Sequence, residues 1–215
     1  MAIKKSQLYS KLWQACDELR GGMDASQYKD YVLVILFIKY ISDRAKNGDG
    51  DLYIDLPKGC TFDDLVALKG KADALQKDFL RLVEEDAKVF EPLSKAYGMP
   101  KDTEEEKAEK ARVMEIVLKD ACSVPMEIMR KCCEAIDIIE EFAAKGSVIA
   151  LSDAGVGAAF CKAALLGASL NVFINTKSMA NREYAKELNE EANEMIRMYS
   201  EKADKVFNSV NERLR

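Results

Sequence analysis

Apolar residues recur at spacings of three and four along most of this chain, with charged residues between them, and each such run predicts an amphipathic helix. Residues 5 to 20 put Leu8, Leu12, Trp13, Cys16 and Leu19 on one face. Gly21-Gly22 ends that run, because glycine accepts the left-handed conformation at a helix C-terminus. A second helix, from about Asp24–Ser26 to Ala45, carries Tyr28, Tyr31, Val32, Ile35, Leu36, Ile38, Tyr40 and Ile41. It is apolar on nearly all sides, which predicts a place at the centre of its bundle. Asn47-Gly-Asp-Gly-Asp reads as a solvated turn, since the acidic register and closing glutamate of a calcium loop are missing. Residues 53 to 60 read as irregular, and Thr61-Phe-Asp-Asp opens a short helix by side-chain capping.

From about Ala72 the residues Leu75, Phe79, Leu82, Val83, Val89, Phe90, Leu93 and Tyr97 trace a long amphipathic helix, broken by Gly98-Met-Pro100. Thr103-Glu-Glu-Glu is a capping box, in which Thr103 and Glu106 satisfy each other's neighbouring amides. The charged run Glu104 to Arg112 reads as a solvated face. Pro125 interrupts or restarts this helix, because proline cannot donate to the carbonyl one turn back. Met126 to Ala144 follows, and Met179 to Arg215 reads as one long helix through Tyr184, Leu188, Met195, Tyr199, Val206 and Val210. The fold class expected is all-α, a bundle of long amphipathic helices.

Lys145 to Ser178 stands apart, being nearly free of carboxylates and rich in small residues. Ala154, Gly155, Gly157, Ala158, Ala163, Gly167 and Ala168 would let a neighbouring helix or a ligand approach the backbone closely. The segment is therefore predicted to be the buried central helix, started by Ser152 or Asp153 as N-cap. Val148-Ile-Ala-Leu-Ser-Asp-Ala-Gly-Val-Gly also looks superficially like a strand and a nucleotide-binding glycine turn, but the third glycine and a following strand are missing.

Composition narrows the chemistry. Thirty-two basic and 37 acidic residues give a net charge of −5, which removes any broad attraction to nucleic acid or anionic membrane. There is no histidine, and the six cysteines, at 16, 60, 122, 132, 133 and 161, show no Cys-x-x-Cys spacing, so no metal site is expected. Reduced thiols fit a cytoplasmic protein. The first residues lack a secretory apolar core, and the run Tyr31 to Ile41 is too short to span a bilayer, so no membrane contact is expected. The wide apolar faces predict a homodimer or higher homo-oligomer.

Two resemblances divide the chain. Leu12-Trp-Gln-Ala-Cys-Asp-Glu-Leu-Arg-Gly-Gly-Met-Asp-Ala-Ser-Gln-Tyr and Phe37-Ile-Lys-Tyr-Ile-Ser-Asp resemble the N-terminal helical domain of type I restriction-modification methylation subunits, over residues 1–70. No Asn-Pro-Pro motif is present, so this resemblance implies a helical docking module for a restriction-modification subunit and not methylation. Val83-Glu-Glu-Asp-Ala-Lys-Val-Phe, Met99-Pro-Lys-Asp-Thr-Glu-Glu-Glu-Lys, Ala121-Cys-Ser-Val-Pro-Met, Leu151-Ser-Asp-Ala-Gly-Val-Gly-Ala and Leu170-Asn-Val-Phe-Ile-Asn together resemble the cyclodeaminase domain of formiminotransferase-cyclodeaminase, over residues 71–215. That fold is shared with stand-alone methenyltetrahydrofolate cyclohydrolases.

The second resemblance implies a folate-type small molecule as substrate, a tetrahydrofolate derivative carrying a one-carbon unit, and usually a dimer. Members begin with a Ser-x-x-Pro-x-x-Gly-Gly-Gly-Ser segment. Residues 1–70 stand in that place, which makes the chain chimera-like and leaves open an inactive relative. Opening a methenyl bridge needs a base for the attacking water, and releasing ammonia needs a proton donor. Without histidine the candidates are Asp153, at a helix start among small residues, and Asp86, on an otherwise apolar stretch. Asp153 would serve equally as an N-cap. Ser152 lies beside it. Asn171 and Asn175, four apart, share one helical face and could hydrogen-bond a pterin edge or bridge helices. Lys177 and Arg182 could meet folate carboxylates or simply occupy a helix junction.

Overall fold

A computed structural model describes residues 25–47, 56, 58–146 and 148–215, and among them five α-helices and no strand. They are α1 (Ala25–Lys46), α2 (Phe62–Tyr97), α3 (Glu104–Lys145), α4 (Leu151–Ser178) and α5 (Arg182–Arg213), with a 3₁₀ turn at Val148–Ala150. The helix expected over residues 5 to 20 and most of the turn after Asn47 lie outside the described residues. The chain divides into two compact units, residues 1–67 and 68–215, and the division falls within α2.

In the first unit α1 is not the enclosed helix that its composition predicts. Val34, Ile35, Leu36, Phe37 and Tyr40 are exposed, and Ile41 and Ser42 are the buried residues among positions 34–46. An all-round apolar sequence shows that a helix can be buried, but the neighbours decide whether it is. Ser42 Oγ accepts from the amide of Phe62 at 2.8 Å. Thr61 and Asp64 cap the start of α2 reciprocally: Asp64 Oδ2 accepts from Thr61 N at 3.0 Å, and Thr61 Oγ1 accepts from Asp64 N at 3.3 Å. The capped helix is not short. It runs without a break from Phe62 to Tyr97, because Gly70 lowers helix propensity by only about 1 kcal/mol.

In the second unit α3, α4 and α5 form an up-down-up bundle, with part of α2 packed on it. Thr103 and Glu106 form the expected capping box at the start of α3. Joined by short turns, α4 runs antiparallel to both neighbours, and the cross-links show the register. Lys162 of α4 pairs with Asp204 of α5 at 2.6 Å, and Thr176 donates to Asn189 at 2.8 Å. Between α3 and α5, Lys202 sits between Asp137 and Glu140, 2.7 Å from each, and Tyr199 donates to Asp137 at 3.2 Å. One core cluster gathers Leu93, Leu118, Met126, Met129, Leu165, Val172 and Ala185, and a second gathers Ile136, Leu151, Ala154, Ala158, Ala203, Val206 and Val210.

Three expectations are corrected here. Pro125 lies inside a continuous 42-residue α3. The N-cap of α4 is Ala150, with no side-chain hydrogen bond, and Asp153 sits in the first turn. Nor is α4 buried all round: Leu151, Ala154, Gly155, Ala158, Leu165, Ala168, Val172 and Thr176 face the bundle, while Val156, Phe160, Leu170 and Ile174 are exposed. Small residues did permit the expected close approach on the inner face. A Cβ on Gly155 would stand 2.9 Å from Val210 Cγ1, and one on Gly157 would stand 3.3 Å from Ile139 Cδ1.

Candidate functional site

Proline has no amide hydrogen, so Pro125 leaves the carbonyl of Ala121, one turn earlier, without its helical donor. Asn175 of α4 supplies the missing hydrogen bond, its Nδ2 donating to Ala121 O at 3.2 Å. This exchange lets α3 continue through the proline, and it fixes the Asn175 side chain across the α3–α4 seam. One residue along, Cys122 Sγ lies 3.8 Å from Val172 O. Burial pushes the Cys122 thiol up to about 11, against the opposing pull of its hydrogen bond with Asn175. It is therefore a neutral thiol at ordinary pH.

Beside this seam is a hollow of about 250 Å³, lined by Asp86, Val89 and Phe90 of α2, Ala121 and Pro125 of α3, and Asn171 and Asn175 of α4. Three of the predicted site residues, Asp86, Asn171 and Asn175, thus meet in one place. Asp86 is half-buried on the inward stripe of α2, four residues after the buried Leu82 and three before the half-buried Val89. Its carboxylate can take a proton. The Asn171 amide can donate and accept, while Asn175 is partly committed to Ala121. Val89 and Phe90 add an apolar wall on which a flat ring can rest. Small-molecule pockets typically measure about 300–1,000 Å³, so this hollow suits one part of a larger ligand.

The remaining predicted residues lie elsewhere. Ser152 and Asp153 are exposed in the first turn of α4. Eighteen residues separate Asp153 from Asn171, about 27 Å of helix at 1.5 Å per residue, so one copy of the chain cannot bring both to the same reacting atom. Lys177 is exposed in the last turn of α4. Arg182 donates through Nη1 to the carbonyls of Thr176 at 2.8 Å and Met179 at 3.1 Å, which fastens the α4–α5 junction. Val89, Phe90 and Cys122 were not singled out from the sequence as site residues. The available signal was Pro125 in a run with helical periodicity, because an internal proline implies an orphan carbonyl and a polar side chain to serve it.

Among the described residues no group of three or more cysteines or carboxylates is arranged to hold a metal ion. One stretch among them, Val148–Ser178, is long and apolar enough to cross a membrane by length and composition, and it includes the α4 helix whose inner face packs on α3 and α5.

Residues 60–194 match the family model described as formiminotransferase-cyclodeaminase. The chain is 38% identical over 124 residues to the methenyltetrahydrofolate cyclohydrolase of Methylorubrum extorquens, covering 58% of this chain and 60% of that protein. It is 29% identical over 115 residues to the formimidoyltransferase-cyclodeaminase of Sus scrofa, covering 54% of this chain and 21% of that one. The match therefore spans less than two thirds of the length of these curated relatives, 60% of the first and 21% of the second. The crystal structure of a formiminotetrahydrofolate cyclodeaminase from Thermotoga maritima shares the fold, with a TM-score of 0.56 at 20% identity over 88% of this chain and 98% of that one.

Proposed function

The chain belongs to the formiminotransferase-cyclodeaminase family, and from that premise we propose that it acts on one-carbon units carried by tetrahydrofolate, as a methenyltetrahydrofolate cyclohydrolase or a formiminotetrahydrofolate cyclodeaminase. The observation that carries the reading is the meeting of Asp86, Asn171 and Asn175 in one hollow, within the stretch that matches the family. In the cyclohydrolase reaction water adds to the amidinium carbon between two ring nitrogens, a base takes the water's proton, and one carbon–nitrogen bond breaks to leave a formyl group. Asp86 is the base. Asn171 holds the polar edge of the pterin, and Phe90 and Val89 support its face. In the deaminase reaction the neighbouring folate nitrogen adds to the formimino carbon and gives up its own proton, the bond from that carbon to the departing nitrogen breaks to leave the methenyl bridge, and the protonated carboxyl of Asp86 supplies the proton that departs with ammonia. A cytoplasmic setting and self-association belong to the same reading, the first supported by free cysteines at 60, 122, 132, 133 and 161.

The test is hydrolysis of methenyltetrahydrofolate, followed by its absorbance, alongside calorimetric binding of a folate analogue. Asp86→Asn is expected to keep binding and lose turnover by roughly 100-fold or more. Binding without turnover in the unaltered chain would identify an inactive relative. Neither binding nor turnover would defeat the proposal.

A second reading concerns the residues ahead of the matched stretch, which begins at residue 60. It makes them a helical docking module for a restriction-modification subunit. Capture of a type I specificity subunit by the full chain, lost when residues 1–59 are removed, would support the second.

A further inference from the structure

The exposed face of α4 has a regular pattern. Val156, Phe160, Ala163, Gly167, Leu170 and Ile174 follow one another at alternating steps of four and three, all exposed, and the same rhythm reaches Asp153 at one end and Lys177 at the other. Steps of four and three keep side chains on one line along a helix, the spacing used when two helices lie side by side. The line is symmetric about its middle. Large residues stand at both ends, and Ala163 and Gly167 stand at the centre, where a Cβ added to Gly167 would meet nothing within 4 Å.

We infer that this face is the contact between two copies of the chain, whose α4 helices cross antiparallel about a two-fold axis beside residue 165. That axis sets Ala163 against the partner's Gly167, Phe160 against the partner's Leu170 and Val156 against the partner's Ile174. It also sets Asp153 against the partner's Lys177. Charge complementarity is what identifies the occupant. A two-fold contact is self-complementary, so an acid at one end of the stripe requires a base at the other. Neither Asp153 nor Lys177 forms an ion pair among the described residues. Lys162, the one charge in the sequence between them, is already held by Asp204. The small residues fall where the two backbones come nearest, which is the position at which they permit a close crossing. Phe90, exposed on α2 and lining the same hollow as Asn171, extends the apolar area beside the stripe, so the contact runs along the rim of the proposed active site.

The inference rests on the self-association named above and assigns it a face, and the two are tested separately. Sedimentation equilibrium of the full chain is expected to show a dimer. Gly167→Leu adds bulk that the single copy has room for and removes a helix-weakening glycine, and it is expected to raise the dimer Kd at least tenfold while the denaturation midpoint of the monomer does not fall. Asp153→Lys sets like charges together and is expected to raise Kd several-fold. Adding Lys177→Asp to it is expected to restore the original value, and this swap remains decisive should Gly167→Leu fail to fold. A monomer throughout would overturn both the association and the face. A dimer indifferent to Gly167→Leu and to the charge swap would overturn the face alone. Co-sedimentation of the unaltered chain with phosphatidylcholine–phosphatidylglycerol vesicles in place of dimerisation would overturn the inference in favour of a lipid-facing stripe.

Discussion

The two ends of the inner face of α4 are held by different means. The first half packs by absence: Gly155 and Gly157 have no side chains, and Val210 and Ile139 fill the space, the Lys162–Asp204 pair linking to α5 only farther along. The second half is cross-linked by polar groups, Asn175 to Ala121, Thr176 to Asn189 and Arg182 to the last carbonyls. Packing at Gly155 and Gly157 is too close for a ligand, and the hollow of about 370 Å³ farther along, between Ala158–Leu166 and Ala203–Phe207, is walled mainly by alanine and other apolar side chains with its one ion pair closed on itself, whereas the polar groups of the second half leave a shaped opening between them. The candidate site is accordingly at the second end, although the small residues that attract notice in the sequence crowd the first.

The largest effect should come from filling the packed end. Gly155→Leu forces a side chain against Val210, which is buried and β-branched and so has few rotamers to retreat to. A loss of about 3 kcal/mol in chemical denaturation is expected, the upper range for overpacking, and Val210→Ala should recover part of it. A neutral result would mean that the first half of α4 yields and that the contrast between the ends is wrong.

At the other end, Asn175→Leu removes the donor that serves Ala121 and leaves a buried carbonyl orphaned, at a cost of about 1–3 kcal/mol. Adding Pro125→Ala returns an amide to position 125 and should recover most of the loss, since Ala121 then regains a helical partner. No recovery would show that Asn175 contributes by packing alone.

Much of this was legible before any coordinates, and the gaps have physical causes. Periodicity and the Thr103–Glu106 box located α3, because capping and amphipathicity are local. Asp86 could be named by itself, as a carboxylate on an apolar stretch, and Asn171 and Asn175 as a pair sharing one helical face. The meeting of that pair with Asp86 could not be read, because it depends on the antiparallel register of α3 and α4 and on which face of α2 turns inward. Proline misled for a related reason. Its local rule predicts a break at 125, and a residue 50 positions later supplies the hydrogen bond that prevents it. α1 and α4 misled in the same direction, as apolar composition states what a surface prefers and not what covers it.

Alkaline pH should distinguish the ends more gently. Burial pushes the Cys132 and Cys133 thiols up to about 12 and Cys122 to about 11, from an ordinary value of about 9. The folded state therefore holds these protons after the unfolded chain has released them, so stability is unaffected below pH 9 and falls as pH rises above it. Each thiol contributes a slope approaching 1.4 kcal/mol per pH unit until its folded value is passed. Burial raises the Cys161 thiol as well, so four thiols share the slope; denaturation midpoints between pH 8 and 10.5 would measure it, and Cys122→Ala should flatten it by about one quarter, placing that share at the seam beside the hollow.

The smallest effect belongs to Asp153, and it sharpens the contrast by what it should fail to do. An exposed carboxylate in the first turn of α4 lies at the positive end of the helix dipole, an interaction worth about 0.3–1 kcal/mol. Asp153→Asn, made in the Gly167→Leu background so that association does not intrude, should lower stability by no more than that. The loss should shrink in 1 M salt, where charges near the surface are screened within about 3 Å. A loss above 2 kcal/mol that persisted in salt would mean that Asp153 is enclosed and paired within one copy. The first end of α4 would then be a polar site in its own right, and the preference for Asp86 as the proton-handling carboxylate would have to be reversed.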